Sequence, residues 1–360
     1  MKHFAFGILF LVSLITTAQE NRPEASTILE SLVNENMAVG GAIGYSIGDS
    51  ILWNSARGYS DKKAQRPFET HTKLRMASIA KSMTALAAMQ LVEKGKLDID
   101  VPIQNYIPDY PKHSGTQITT RHLLSHTSGI SGYKNTKESN TQTEYASLYE
   151  AIDIFKDREL VFEPGTKYSY TTYGYTVLGV IIEKVSGQTF EKYMQHNIWD
   201  KAGMKNTGVD KFGIQVEHES RLYHRKKGKG KAKEGPENNL SNRIPGGGLY
   251  TTIEDILKFG KAVLNDVFVS KETLDLMRQH HSLEKERNAY GFGWFLYNPK
   301  PNEGAVIGHS GGQMGCSSFL LIVPEKKVVA AVLTNTSRVE VGQQAFQLLN
   351  LALEKVEDTE

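Results

Sequence analysis

Residues 41–57, GAIGYSIGDSILWNSAR, decide the fold predicted for this chain of 360 residues. Two short strands, Gly41–Ile47 and Ile51–Arg57, are joined there through Gly48-Asp49, a pair typical of hairpin turns. An isolated two-stranded hairpin is only marginally stable in water, so this one needs partner strands. The end of the chain offers four apolar or alternating runs, at Gly291–Tyr297, Ala305–His309, Ser317–Val323 and Lys327–Thr334.

These strands predict an α+β fold with one antiparallel sheet built from both ends of the chain. Helices at Pro23–Met37 and from about Val341 to Lys355 would flank the sheet. The sequence between the two groups of strands is mostly helical in pattern, so it would form an inserted, all-helical lobe. We therefore expect a discontinuous sheet domain of residues 19–75 and 240–360, with residues 76–239 inserted into it.

Helical periodicity marks the main elements of the inserted lobe. The long apolar helix from Ser78 to Glu93 ends at Gly95, and Thr119 caps a short helix that ends near His126. Three more helices are predicted at Tyr145–Leu160, Tyr173–Ser186 and Thr189–Trp199. A cleft between this lobe and the sheet is a common position for an active site.

The composition excludes several classes of protein. Hydrophobic residues make up 39% and charged residues 23%, which is ordinary for a soluble globular chain. The net charge of +2 is too small to indicate nucleic acid as the main partner. Cys316 is the single cysteine, so an intrachain disulfide and a multi-cysteine metal site are both impossible. The sequence contains no phosphate loop or dinucleotide fingerprint, and we expect neither a metal nor an organic cofactor.

The first 18 residues have the pattern of a signal peptide. Lys2 precedes an apolar run from Phe4 to Ile15, and Thr16-Thr17-Ala18 places small residues before a cleavage point. An uncleaved N-terminal anchor is the alternative. No later stretch approaches the roughly 20 apolar residues of a membrane span. We therefore expect an exported protein, periplasmic or extracellular, with no membrane span after cleavage.

Ser78-Ile79-Ala80-Lys81 is the first candidate for catalytic chemistry. A serine hydroxyl becomes a good nucleophile only when a base removes its proton. Three residues apart on a helix, Lys81 can reach Ser78, and burial would favour its neutral amine. The alternative is an N-cap serine followed by an exposed lysine. Three other Ser-x-x-Lys matches lie in polar or loop-like contexts, at Ser60/Lys63, Ser131/Lys134 and Ser282/Lys285.

Two rival motifs are less convincing. Gly308-His309-Ser310-Gly311-Gly312 matches the G-x-S-x-G nucleophile elbow of α/β-hydrolases. That fold needs a histidine after the serine, yet His309 is the last histidine, and a strand rather than a helix follows. His122 and His126 have the spacing of two metal ligands on a helix, but Leu123 stands where a zinc protease has glutamate. We interpret both histidines as packing or capping residues.

The chain resembles the serine β-lactamases of the class C type and the penicillin-binding DD-peptidases, with their esterase and aminopeptidase relatives. Within that family it is most similar to the branch of the mitochondrial serine β-lactamase-like protein and its bacterial relatives. The resemblance covers nearly all of the mature chain and rests on the order of its motifs. These motifs are Arg75–Ser82, Leu123–Gly129, Pro164–Tyr175, Gly246–Thr252 and His309–Gly312.

The resemblance implies a role for each matching residue. Ser78 would be the acylated nucleophile, Lys81 its proton acceptor and Tyr170 the tyrosine that passes a proton to the leaving group. Tyr133-Lys134-Asn135 also has the Y-x-N spacing and is the alternative to Tyr170. His309, Gly311 and Thr172 would line the substrate pocket. The backbone N–H groups of Ser78 and Gly312 would then bind the oxyanion.

Two positions depart from the family pattern. Thr172 replaces the usual asparagine of the second motif, and His309 replaces the lysine of the third. A lysine there supplies a fixed positive charge, whereas histidine does so only when protonated. We therefore expect a peptidase or esterase with acyl-serine chemistry rather than an efficient β-lactamase.

The substrate class and one surface feature stay open at this stage. The substrate would be a small molecule or peptide with an amide or ester bond, including a cell-wall peptide. The competing hypothesis is a penicillin-binding or wall-sensing module with slow or no turnover. Arg225–Lys233, the basic stretch, has six basic residues in nine. It is interpreted as a solvated hairpin tip, with contact to an anionic wall polymer or lipid as the alternative.

Overall fold

The computed structural model describes residues 22–34, 37–113, 115, 117–283, 289–297 and 305–357, so the predicted signal peptide lies outside the described residues. The helices are α1 Pro23–Leu32, α2 Ala80–Glu93, α3 Thr120–Leu124, α4 Thr136–Ser139, α5 Leu148–Ile152, α6 Thr172–Ser186, α7 Phe190–Met194, α8 Asp200–Ala202, α9 Ile244–Gly247, α10 Ile253–Leu264, α11 Lys271–Met277 and α12 Gly342–Glu357. The strands are β1 Gly40–Ile47, β2 Ser50–Asp61, β3 Arg66–Pro67, β4 Leu74–Arg75, β5 Gly208–Val209, β6 Tyr223–His224, β7 Lys233–Glu234, β8 Leu249–Thr251, β9 Phe295–Tyr297, β10 Val306–Gln313, β11 Cys316–Val323, β12 Val328–Thr334 and β13 Thr336–Ser337.

The main sheet unites the early hairpin with the late strands. Its strand order is β3-β2-β1-β12-β11-β10-β9, and neighbouring strands pair antiparallel. The first hairpin joins the rest through β1 and β12, with Gly41 opposite Thr334 and Ile47 opposite Val328. The predicted α+β fold with an antiparallel sheet is therefore confirmed.

Both faces of the sheet are buried, which explains the continuous apolar runs of its central strands. Along β12, Val328, Ala330 and Val332 pack in one cluster with residues of α1 and α12. The alternating residues Val329, Ala331 and Leu333 belong to a second cluster that includes α2, α6 and α10. Successive side chains of a strand point to opposite faces of the sheet. A strand that is covered on both faces therefore has an unbroken run of hydrophobic residues in its sequence.

Helix α2 is the centre of the helical part of the chain. Every residue from Ala80 to Leu91 is buried, Lys81 included. A 3-10 turn at Ala77–Ile79 precedes the helix, so Ser78 lies in a tight turn and not in its first α-helical turn. Among the described residues, none of the helices is long and apolar enough to cross a membrane.

Parts of the inserted segment differ from the sequence prediction. Helix α5 covers Leu148–Ile152 only, where the pattern predicted Tyr145–Leu160. The segment also contains β5, β6 and β7, so it is not wholly helical. The strands β6 and β7 pair antiparallel, which makes the basic stretch the loop of a hairpin, as predicted. Two-residue strands escaped prediction because they are too short to show a period.

Arg75 ties four segments together just before the nucleophile turn. It is 3% exposed and its Nε lies 2.7 Å from Oδ2 of Asp210. Its other nitrogens donate to the side chain and carbonyl of Asn238 and to the carbonyl of Met314, in the turn between β10 and β11. A buried ion pair with this many hydrogen bonds fixes the positions of its loops.

Arg75→Met is expected to lower the free energy of unfolding by about 3 kcal/mol, because Asp210 would stay buried without its partner. Urea unfolding of the wild type and the variant measures the difference. The double variant Arg75→Met, Asp210→Leu removes both charges and should recover part of the loss. A single variant as stable as the wild type would contradict this role.

Candidate active site

Ser78 lies in the 3-10 turn that is pressed against strand β10. It is half-buried, and the residue before it, Ala77, has a positive φ of 52°. A Cβ atom added at Gly311 of β10 would lie 2.6 Å from the carbonyl oxygen of Met76 and 3.1 Å from Cβ of Ala77. Only glycine therefore fits opposite the turn, and this close approach places Ser78 beside the strand.

Lys81 points its amine at the Ser78 hydroxyl. Its Nζ lies 3.3 Å from Oγ of Ser78, 3.4 Å from Oγ1 of Thr172 and 2.6 Å from the carbonyl oxygen of Gly246. The side chain is fully buried, and no carboxylate pairs with it among the described residues. A neutral amine matches these partners, since two N–H bonds can donate to Gly246 and Thr172 while the lone pair faces the Ser78 hydroxyl.

The surroundings of Lys81 favour that neutral form. Burial lowers its pKa well below the ordinary value, and the positive charge of Arg243 acts in the same direction. An unprotonated amine at hydrogen-bond distance from a serine hydroxyl is the arrangement that general-base activation requires.

Tyr170 and Thr172 enter the site from the start of α6. The Tyr170 ring centre lies 4.9 Å from Nζ of Lys81, and its hydroxyl is buried without a hydrogen-bond partner among the described residues. Burial raises the pKa of Tyr170 well above 10, and the nearby Ser78 hydroxyl opposes this shift. Tyr170 is thus a neutral phenol next to both Ser78 and Lys81.

The alternative tyrosine, Tyr133, packs against Tyr173 and Arg243. Its ring contacts Tyr173 at 4.8 Å between centres, and the guanidinium of Arg243 lies 4.5 Å from its centre. Burial raises the pKa of this phenol and the charge of Arg243 opposes the rise, while its hydroxyl has no hydrogen-bond partner among the described residues. Of the two tyrosines, Tyr170 is therefore the one placed against Lys81.

His309 lies on β10 as a buried, neutral ring. Its Nδ1 lies 2.6 Å from the carbonyl oxygen of Ser310, which can only accept, so Nδ1 carries the proton. The hydroxyl of Tyr290 then donates to Nε2 at 3.1 Å. Burial lowers the pKa of His309 to about 3. This residue consequently supplies no positive charge at neutral pH.

The edge of β10 beyond His309 forms one wall of an open cleft. Strand β9 pairs with Val306–Gly308 and, through Phe295, with Tyr290. The chain before it turns towards α2, where Ser82 Oγ donates to the carbonyl of Gly293. Gly312 is exposed, with nothing within 4 Å of an added Cβ. The cleft has a volume of about 620 Å³, and its walls include Ser139 and Ser310–Gln313 but not Ser78, Lys81 or Tyr170. A larger cavity of about 740 Å³ contains none of the predicted site residues.

The other motifs considered above have structural explanations. Ser310 lies within a strand that is followed by β11, so the strand–turn–helix of a nucleophile elbow is absent at this described position. The Nδ1 atom of His122 accepts the backbone N–H of Thr119, as expected of a capping residue. Ser60 is buried and donates to the carbonyl of Pro67.

Sequence reasoning missed four groups that complete the site. The hydroxyl of Tyr290 and the charge of Arg243 come from segments with no pattern pointing towards Ser78, and the carbonyl of Gly246 belongs to a matched motif that gave no hint of this contact. His126 packs against Tyr170 with ring centres 4.3 Å apart, and its Nδ1 accepts the backbone N–H of Thr171. Its position within a matched motif was the signal that could have placed it in the site.

Gly311→Ala and Gly312→Ala form a matched pair that tests the contact between the nucleophile turn and β10. The added Cβ at Gly311 would lie 2.2 Å from Oγ of Ser318 and must push the strand away, whereas the one at Gly312 meets open space. We expect Gly311→Ala to lower the unfolding free energy by about 2 kcal/mol and Gly312→Ala to leave it within about 0.5 kcal/mol. Equal melting temperatures for the two variants would contradict the packing argument.

The buried neutral His309 predicts a loss of stability in acid. Its pKa of about 3 lies below the unfolded value near 6.5, so the unfolded chain binds more protons between these values. Its contribution is complete above about pH 6.5 and is lost as the pH falls towards 3, by up to about 1.4 kcal/mol per pH unit. Urea unfolding between pH 4.5 and 8 should show a shallower pH dependence for His309→Gln than for the wild type. Parallel curves would show that the ring titrates normally in the fold.

Comparison with known proteins agrees with this geometry. The β-lactamase family model matches residues 28–354. The human mitochondrial serine β-lactamase-like protein is 28% identical, over 83% of this chain and 71% of its own length. Penicillin-binding protein 4* of Bacillus subtilis is also 28% identical, over 91% of this chain and 75% of its own.

Solved structures share the fold. The octameric penicillin-binding protein homologue from Pyrococcus abyssi has a TM-score of 0.78 and 29% identity, over 92% of this chain and 77% of its own. The D-amino acid amidase from Ochrobactrum anthropi has a TM-score of 0.80 at 22% identity, over 93% of this chain and 98% of its own, which is evidence for the fold alone. The family match spans the sheet, α2 and the whole site, and the chain belongs to the β-lactamase family, among the serine hydrolases of the β-lactamase and DD-peptidase type.

Proposed function

We propose that this protein is an exported serine hydrolase that cleaves an amide or ester bond through an acyl-serine intermediate. The observation that supports this most strongly is the buried Lys81 amine 3.3 Å from Oγ of Ser78, with no carboxylate to hold it charged among the described residues. Penicillin-binding protein 4* is among the relatives, and a bacterial periplasm or exterior fits such a function.

Acylation would use the residues as follows. The Lys81 amine takes the hydroxyl proton of Ser78 while Oγ attacks the substrate carbonyl carbon. The backbone N–H groups of Ser78 and Gly312 bind the negative oxygen of the tetrahedral intermediate. The proton then passes through the Tyr170 hydroxyl to the leaving amine or alkoxide as its bond to the carbonyl carbon breaks. Water later attacks the acyl ester, restores Ser78 and releases the acid.

The site favours a peptidase or esterase over an efficient β-lactamase. His309 is neutral, so it offers no fixed charge to the carboxylate of a penicillin. Thr172 presents a hydroxyl rather than the amide of the family's usual asparagine. A small ester or a peptide, including a wall peptide, needs neither group for acylation. A penicillin-binding or wall-sensing module is the alternative, since an acyl-enzyme that does not hydrolyse would use the same first step.

The experiment is intact mass spectrometry of the mature protein after incubation with an activated ester and, separately, with penicillin. We expect the ester to form an adduct that disappears as product is released, and penicillin to acylate at least tenfold more slowly. Ser78→Ala should form no adduct, because it lacks the nucleophile.

Ser310→Ala is the matched control, since it removes a cleft serine from the rival motif. Peptide mapping of its adduct should still identify Ser78. Labelling of the Ser78→Ala protein would overturn the assignment of the nucleophile. A persistent penicillin adduct with no turnover of esters would instead support the sensing module.

A further inference from the structure

Arg243 is a buried cation without a counter-charge. It is 6% exposed, and its Nε donates to Oδ1 of Asn242 at 2.9 Å. Another nitrogen donates to the carbonyl of Ser139, and the guanidinium stacks on Tyr133. All of these partners are neutral, and no carboxylate lies at ion-pair distance from Arg243 among the described residues. Burying a charge without a partner is costly, so the position needs an explanation.

Two other arginines in this chain show what the fold does elsewhere. Arg75 pairs with Asp210 at 2.7 Å, and Arg158 pairs with Glu138 at 3.0 Å. Glu138 also accepts the hydroxyl of Tyr173, and its charge acts on Arg243 only from beyond ion-pair distance. Arg243 therefore differs from these two arginines, each of which has a carboxylate partner.

Arg243 is connected to the catalytic lysine through the short helix α9. It is the residue before α9, the turn that brings the Gly246 carbonyl 2.6 Å from Nζ of Lys81. An uncompensated positive charge at this place raises the energy of a second positive charge on Lys81.

The other titratable groups around Lys81 are uncharged at neutral pH. Burial keeps the phenols of Tyr170 and Tyr175 protonated by raising each pKa. Burial keeps His126 and His309 neutral by lowering each pKa. Among the described residues, Arg243 is therefore the permanent charge that acts on the amine.

We propose that Arg243 is the fixed positive charge of this active site, in place of the lysine that His309 replaces, and that it keeps the Lys81 amine free to take the Ser78 proton. The proposal rests on the acyl-serine function proposed above. A carboxylate beside Arg243 would cancel its field at Lys81, so the lack of an ion pair is what this role requires.

The test is the pH dependence of single-turnover acylation by p-nitrophenyl acetate, an uncharged ester. Without Arg243 the ammonium form of Lys81 is less disfavoured, so the acidic limb of the profile should move to higher pH. In Arg243→Gln we expect acylation about tenfold slower on that limb, with rates that approach the wild type at high pH. Arg243→Lys should restore the profile because it keeps the charge.

Controls separate this role from packing and from net charge. Arg243→Met keeps the contact with Tyr133, so it should repeat the shift if Arg243→Gln fails to fold. Lys229→Gln removes one charge from an exposed site in the basic stretch and should leave the limb in place. Melting temperatures of all variants report whether the fold is intact.

Two results would overturn the proposal. A rate lowered equally at every pH, with the limb unmoved, would make Arg243 a structural residue. If the acidic limb does not move and only an ester that carries a carboxylate is acylated more slowly, Arg243 would be a residue that binds the substrate carboxylate. Failure of the proposed function would look different, because acylation would then persist in Ser78→Ala whatever residue stands at position 243.

Discussion

The site depends on one constraint, the burial of the Lys81 amine without a carboxylate partner. A lysine in that position can stay neutral, and a neutral amine needs just what the fold supplies: two acceptors, at Gly246 and Thr172, and a hydroxyl donor at Ser78. Helix α2 is buried from Ala80 to Leu91, so the residues around Lys81 on its own helix shield the ammonium form of Lys81 from water. The chemistry thus follows from packing rather than from a dedicated ion pair.

The sheet fixes the position of the turn that contains Ser78. Strand β10 can approach the nucleophile turn because Gly311 has no side chain, and Ser318 of β11 donates to the carbonyl of Met76 from the same side. Arg75 holds the turn after β10 by its contact with Met314. Two segments more than 200 residues apart in sequence are thereby fixed at van der Waals distance, which is the accuracy that proton transfer and oxyanion binding demand.

The sequence was a good guide where local patterns set the structure. The hairpin of residues 41–57, the strand Val328–Thr334 and the end of α6 at Gly187 all follow from period, capping and turn chemistry. Ser78, Lys81 and Tyr170 were found through motifs, and the fold brings them together. Tyr290 and Arg243 could not be found in this way. Their importance comes from contacts with His309 and Tyr133, which no spacing along the chain encodes.

The most direct test of the account is the protonation state of Lys81. Protein carrying lysine enriched in carbon-13 at the ε position gives a signal that follows the charge of each amine, and Lys81→Met identifies the one that belongs to Lys81. The account predicts that this carbon reports a neutral amine at pH 7, while exposed lysines stay charged to about pH 10. A Lys81 signal that titrates with the exposed lysines would contradict it.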